Sequence, residues 1–276
     1  MNEKNRNLVV RVISALVLLP AVLGLLWIGG WATVLLVGAA SAVVAAEIFG
    51  IVGLRLGHPA AIVGMLAAAS YAWFAADLEA RWPGALAVAA FAPLAGLGLL
   101  TLLPPERDLR RAAPAAAFVA LVPTYAGLCL SAVVALRALP DRLAAGWILV
   151  ALVVTWANDT GAYFAGRFFG RRKLYPMVSP NKTWEGFAGG MLASVAGCFL
   201  IRAAFFSELS VLDCLVVGGV AGALGPLGDL SESMIKRAYG VKDSGRIIPG
   251  HGGLFDRVDA LLFNAPWVLA WAHLTT

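Results

Sequence analysis

Near the end of this 276-residue chain, Ser233 to Asp259 reads SMIKRAYGVKDSGRIIPGHGGLFDRVD. Lys236, Arg237, Lys242, Arg246 and Arg257 stand there among Asp243, Asp256 and Asp259. The rest of the chain is oily: overall it is 61% hydrophobic and 13% charged. Cations interleaved with carboxylates and glycines suit phosphates held through a metal ion. Asp256 and Asp259, three apart at the start of a helix, share a face and repel each other unless a cation sits between them. Hard oxygen ligands of this kind suit Mg²⁺. Gly252 and Gly253 let the backbone turn tightly against a ligand. Taken alone, His251 reads as structural, as do His58 and His273.

Three further clusters lie in the second half of the chain. Asp159, in WANDTGAYFAGR, sits about two helical turns before Arg167, just below a membrane surface. An ionised Asp at such a depth costs ~2.5–3.5 kcal/mol on insertion scales unless paired or hydrated, which marks it for a metal or substrate cavity or an interhelical salt bridge. Ser179-Pro180-Asn181-Lys182-Thr183-Trp184-Glu185 offers a point charge for phosphate, short hydroxyl and amide donors, and the start of a helix. A capped helix start with Glu185 in its first turn explains part of that pattern by itself. In the third cluster Asp229, Ser233, Lys236 and Arg237 share one helical face by i, i+3 and i+4 spacing. Membrane anchoring by Lys236 and Arg237 is the plainer account of that face.

Only a helical, many-pass membrane protein accommodates these elements. The mean hydropathy is +0.83, and apolar runs recur near 9–28, 31–49, 60–76, 84–103, 114–136, 146–165, 186–206, 211–228 and 258–274. They lack the alternation of barrel strands. About nine spans are expected, with the N-terminus cytoplasmic and the first run an uncleaved anchor. That arrangement places all but four of the 21 Lys and Arg on the cytoplasmic side, the exceptions being Arg81, Arg137, Arg142 and Arg202. The basic pI of about 9.4 is therefore a sign of topology and not of nucleic-acid binding. Cys129, Cys198 and Cys214 lie in or beside apolar runs and read as small buried hydrophobes. The Asn181-Lys182-Thr183 sequon is set aside because it falls on the cytoplasmic side.

The halves differ. Residues 1–112 form N-terminal transmembrane helices of structural, lipid-facing character, where Glu47, the one acid near a span, reads as interfacial. The Pro104–Arg111 loop separates them from residues 113–276, a catalytic region with cytoplasmic loops 166–185 and 229–258. Gly218 and Gly222 make a GxxxG motif that permits close helix packing, dimerisation included.

The run from Ser233 to Asp259 resembles the signature of phosphatidate cytidylyltransferases, the CDP-diacylglycerol synthases. Its positions are filled by Ser233, Lys236, Arg237, Lys242, Asp243, Gly245, Pro249, His251, Gly252, Gly253, Asp256, Arg257 and Asp259. NDTGAYFAGR and SPNKTWEG resemble the same family's membrane core, so the specific likeness covers roughly 155–260. The resemblance implies a nucleotidyltransferase in which CTP and phosphatidic acid give CDP-diacylglycerol and pyrophosphate with Mg²⁺, assisted by a monovalent cation such as K⁺. It implies Asp229 and Asp256 as metal ligands, with Asp159 or Asp259 near the metal. Lys236, Arg237, Lys242 and Arg257 would hold phosphates, and Asp229, Asp256, Lys236 and Arg237 form the expected catalytic set. Ser179, Asn181, Lys182, Glu185, Ser233, Asp243 and His251 complete the expected substrate site. A homodimer in a bacterial plasma membrane is also implied.

Two rival classes share features of the sequence. A secondary transporter would place its charges near the bilayer midplane within interrupted repeat pairs, and no repeat is evident. Another lipid phosphotransferase would share the metal logic and is demoted only by the intact signature.

Overall fold

A computed structural model describes residues 3–103 and 109–275, with the side chains of 3–8, 109–112 and 141 left aside. Most of the Pro104–Arg111 loop, Arg107 included, therefore lies outside the described residues. So do the side chains of Lys4, Arg6, Arg110 and Arg111 used in the orientation argument.

The protein is nearly all-α. In chain order come α1 (Glu3–Ile28), α2 (Gly30–Ile51), α3 (Pro59–Ala75), α4 (Leu78–Leu102), α5 (Leu109–Val122), a π-helical turn (Pro123–Leu128), α6 (Cys129–Ala138) and α7 (Asp141–Phe169). Strands β1 (Lys173–Tyr175) and β2 (Ser179–Thr183) follow, then α8 (Trp184–Ala204), α9 (Val211–Ala238) and α10 (Phe255–Thr275). Among the described residues, seven helices are long and apolar enough to cross a membrane, α5, the π-turn and α6 counting as one. Two of the nine expected spans fall outside that set. The 17 residues of α3 reach about 25 Å, short of a ~30 Å hydrocarbon core. The 21-residue α10 is diluted by Asp256, Arg257, Asp259, Asn264 and His273.

The chain forms two compact units, Met1–Ala138 with Tyr239–Arg257, and Leu139–Ala238 with Val258–Thr276. This structural division follows a different line from the functional one expected at residue 112, and the signature loop belongs with the N-terminal helices. In the first unit, His58 caps α3, its Nδ1 accepting from the Ala60 amide at 3.2 Å, a structural role as expected. Ile48, Phe49, Tyr71 and Leu136 are fully buried.

In the second unit, α7, α8 and α9 approach closely because glycines line the contacts. A Cβ on Gly161 of α7 would meet the Gly189 carbonyl of α8 at 2.7 Å. The GxxxG motif works inside the chain: Cβ atoms on Gly218 and Gly222 would meet the Cα atoms of Val195 and Met191 at 2.6 and 2.7 Å. That glycine face is therefore occupied by α8 and is not offered to a second copy. Two expected loops are partly regular. Helix α7 runs on to Phe169 before the β1–β2 hairpin, and α9 runs on to Ala238. Polar i, i+4 contacts carry α9 beyond its apolar part, described below. The three cysteines are free, with Cys198 and Cys214 buried.

Candidate functional site

In the second unit a cavity of about 550 Å³ opens between α7, the hairpin, α8 and α9. Small-molecule sites run to roughly 300–1,000 Å³. Asp159, Tyr163, Arg167, Asn181, Lys182 and Asp229 contribute its polar lining. Asp159 and Arg167 reach it from one face of α7, as their two-turn spacing dictates. Asn158 also borders it, but its Nδ2 donates to the Gly222 carbonyl at 2.9 Å and ties α7 to α9.

The hairpin presents Asn181 and Lys182. Lys173 pairs with Thr183 and Tyr175 with Ser179. Glu185 braces the hairpin from α8, accepting from the Arg171 amide at 3.0 Å and the Arg172 amide at 3.2 Å. Thr183 caps α8 by accepting from the Gly186 amide at 3.1 Å. The expected helix start is thus present, and Glu185 spends its carboxylate on backbone amides. Lys182 Nζ lies 2.6 Å from Asp229 Oδ2, with side chains 23% and 36% exposed. The pair is half-buried at the cavity wall, where a phosphate can compete for Lys182 and a metal ion for Asp229.

Beside that pair stands a carboxylate cluster. One oxygen each of Asp229, Glu232 and Asp259 lie within 4.8 Å of one another. Three hard oxygen donors so close suit a small divalent cation. Glu232 was not among the sequence candidates. It is 2% exposed and accepts from Lys236 Nζ at 2.8 Å, one helical turn away. The signal was there in the Glu–Lys i, i+4 spacing, which normally marks an exposed helix face. Lys236 is accordingly buried within an ion pair and does not reach out as an anchor. Ser233 Oγ donates to Asp229 Oδ1 at 3.3 Å, as the shared face predicted. Arg237 is exposed near the end of α9.

The remaining candidates lie in the first unit. Lys242, Asp243 and Arg257 are exposed. The segment 248–252 is a tight turn, closed by the Ile248 amide on the Gly252 carbonyl at 3.0 Å, with Gly250 at φ 75° and Gly252 at φ 86°. The His251 amide donates to the Ile248 carbonyl at 2.9 Å, and its Nδ1 is buried without a hydrogen-bond partner among the described residues. Asp256 Oδ2 accepts from the Ser244 amide (2.9 Å), Ser244 Oγ (3.0 Å) and the Gly253 amide (2.9 Å). Glu47, expected to be interfacial, instead accepts from the Leu254 and Phe255 amides, and its Oε2 lies 2.9 Å from the Ser244 Oγ that Asp256 also approaches. A solitary acid 197 residues from Ser244 carries no local pattern that could have revealed this.

A helical membrane protein with a cavity bordered by charged side chains, a lysine suited to phosphate and clustered carboxylates defines a broad class, which comparison narrows. The cytidylyltransferase family profile matches residues 9–275, and the chain belongs to that family. Phosphatidate cytidylyltransferase of Bacillus subtilis is 42% identical over 151 residues, 55% of this chain and 56% of that protein. The Staphylococcus epidermidis protein of the same name is 48% identical over 120 residues, 44% of this chain and 46% of its own. That of Haemophilus influenzae is 42% identical over 124 residues, 44% and 43%. The aligned part thus spans about half the length of these relatives.

Proposed function

We propose that the protein transfers a cytidylyl group from CTP to phosphatidic acid, giving CDP-diacylglycerol and pyrophosphate. The observation that carries this reading is Lys182 held at the cavity wall against Asp229, itself clustered with the carboxylates of Glu232 and Asp259. Family membership and relatives named for that activity support it. The nucleophile is a phosphate monoester, already anionic at neutral pH, so a strong general base is hardly needed. What matters is cancelling repulsion between two anions and aligning them in line. Lys182 supplies a point charge for a phosphate, and Asn181 a short donor beside it. Ser179, Arg237, Lys242 and Arg257 are proposed as further contacts to CTP or the lipid headgroup. Lys236 balances Glu232 and so tunes the cluster's charge. Asp229 and Asp259, with Asp159 nearby and Glu232 as a third carboxylate, would hold Mg²⁺, which when bound supplies polarisation of the CTP α-phosphate and neutralises departing pyrophosphate. The role that the signature implies for Asp256, metal ligation, rests on the motif.

The same reading counts α3 and α10 as spans, making nine. It sets the N-terminus and the charged loops on the cytoplasmic side of a bacterial inner membrane, with the protein a homodimer. CTP then arrives from the cytoplasm and phosphatidic acid from the inner leaflet. Purified protein given CTP and phosphatidic acid should form CDP-diacylglycerol and pyrophosphate only when a divalent cation is present. No product, or full turnover after chelation, would sink the reading. Product from a polyprenyl phosphate alone would transfer the protein to the rival lipid phosphotransferases.

A further inference from the structure

We propose that Glu47, on α2, is a positioning residue that sets the signature loop and, through Ser244, the aim of Asp256. The inference rests on the proposed reaction for its functional consequence, and on geometry within one unit for its structural one. Glu47 Oε1 accepts from the Leu254 amide at 2.9 Å. Its Oε2 accepts from the Phe255 amide at 2.8 Å and lies 2.9 Å from Ser244 Oγ. These amides stand at the start of α10, where N–H groups have no intrahelical partner and the helix end favours negative charge. A carboxylate from a distant helix thus caps α10 where its own sequence offers Leu254 in place of a capping side chain.

Ser244 links that cap to Asp256. Its hydroxyl lies within 3.0 Å of both Glu47 Oε2 and Asp256 Oδ2, yet carries one proton to donate. The two carboxylates therefore share one hydroxyl, and shifting either redistributes that bond. The signature's glycines fit this arrangement. A Cβ on Gly253 would meet Glu47 Oε2 at 2.6 Å and crowd Ser244 Oγ more closely still. One on Gly245 would also press on the Glu47 carboxylate. Helix α1 holds the same loop further along: Arg11 Nε donates to the Gly250 carbonyl at 2.8 Å and Ser14 Oγ to the Pro249 carbonyl at 2.9 Å. The N-terminal helices, lipid-facing by composition, thereby act as the frame of a charged loop.

Glu47→Gln keeps the size of the side chain but loses one acceptor oxygen, so the Leu254 amide, which uses Oε1, and the Phe255 amide, which uses Oε2, cannot both be served. Hydrogen exchange of the full-length protein in detergent reads this directly. Amides in 244–256 should exchange at least about tenfold faster, the order expected for losing one or two hydrogen bonds, while those of α7 and α8 stay unchanged. In turnover assays kcat should fall about tenfold or more with KM for CTP nearly constant. Because Glu47 and Ser244 act as one unit, Glu47→Gln with Ser244→Ala should cost less than the sum of the single changes. Unchanged exchange across 244–256 in Glu47→Gln overturns the proposal, whatever the turnover. If Glu47→Gln fails to fold, Ser244→Ala decides: wild-type exchange and wild-type kcat there overturn it equally. A wild-type protein that makes no CDP-diacylglycerol removes the functional reading and leaves the exchange measurement to judge Glu47.

Discussion

Asp229 faces two partners of different chemistry, Lys182 at 2.6 Å and Ser233 at 3.3 Å, and stands within 4.8 Å of Glu232 and Asp259. Three acids so close repel one another unless cations offset them or one takes a proton, and Lys182 and Lys236 supply positive charge from opposite sequence directions. Asp229→Asn and Asp259→Asn remove one charge each with little change of shape. Each should lower kcat/KM by at least about 100-fold, equivalent to ~2.7 kcal/mol of transition-state stabilisation. Each should also weaken Mn²⁺ binding measured by electron paramagnetic resonance. Near-normal turnover with normal Mn²⁺ affinity in either variant would take that residue out of the metal site.

At the scale of elements, the close approach of α7, α8 and α9 is what brings Asp159, the hairpin and Asp229 around one cavity. Gly222 is buried against Met191, whereas Gly219 on the same helix has open space where a Cβ would go. Gly222→Leu should therefore destabilise the protein by roughly 1–3 kcal/mol or more through overpacking, seen as a lower thermal midpoint in detergent. Gly219→Leu should leave the midpoint in place. Equal effects would mean that the glycine face does not set this packing. The hairpin is likewise built for position. Glu185 holds its base through the Arg171 and Arg172 amides, and Thr183 ends it by capping α8. Lys182 is thereby presented from a short, pinned strand, where a free loop would cost ordering entropy.

For the whole molecule, α7 offers a test of orientation. Arg142 to Phe169 is 28 residues, about 42 Å of helix against a hydrocarbon core of ~30 Å, long enough for its two ends to reach opposite sides. Arg142 and Arg171 are both exposed. In intact cells a membrane-impermeant thiol reagent should label Arg142→Cys from outside, and Arg171→Cys only after the membrane is opened. The reverse pattern would invert the topology and move the proposed site away from CTP.

The sequence by itself determined the class of fold, because apolar runs of this length in so oily a chain leave the backbone no alternative to helices. It also singled out Asp159, Lys182, Asp229 and Asp259 as site candidates, since intramembrane acids and a phosphate-type lysine stand out from their surroundings. The structure brought these four around or beside one cavity. Only tertiary structure decided what Glu47 and Glu232 do. Glu47 acquires its role from amides some two hundred residues away, and no local pattern records a contact of that range. Glu232 and Lys236 match an ordinary exposed i, i+4 pair, and only packing buries them and sets Glu232 beside Asp229 and Asp259. Packing likewise assigned the GxxxG face to α8, because a glycine's lack of a Cβ permits a close neighbour without naming which one.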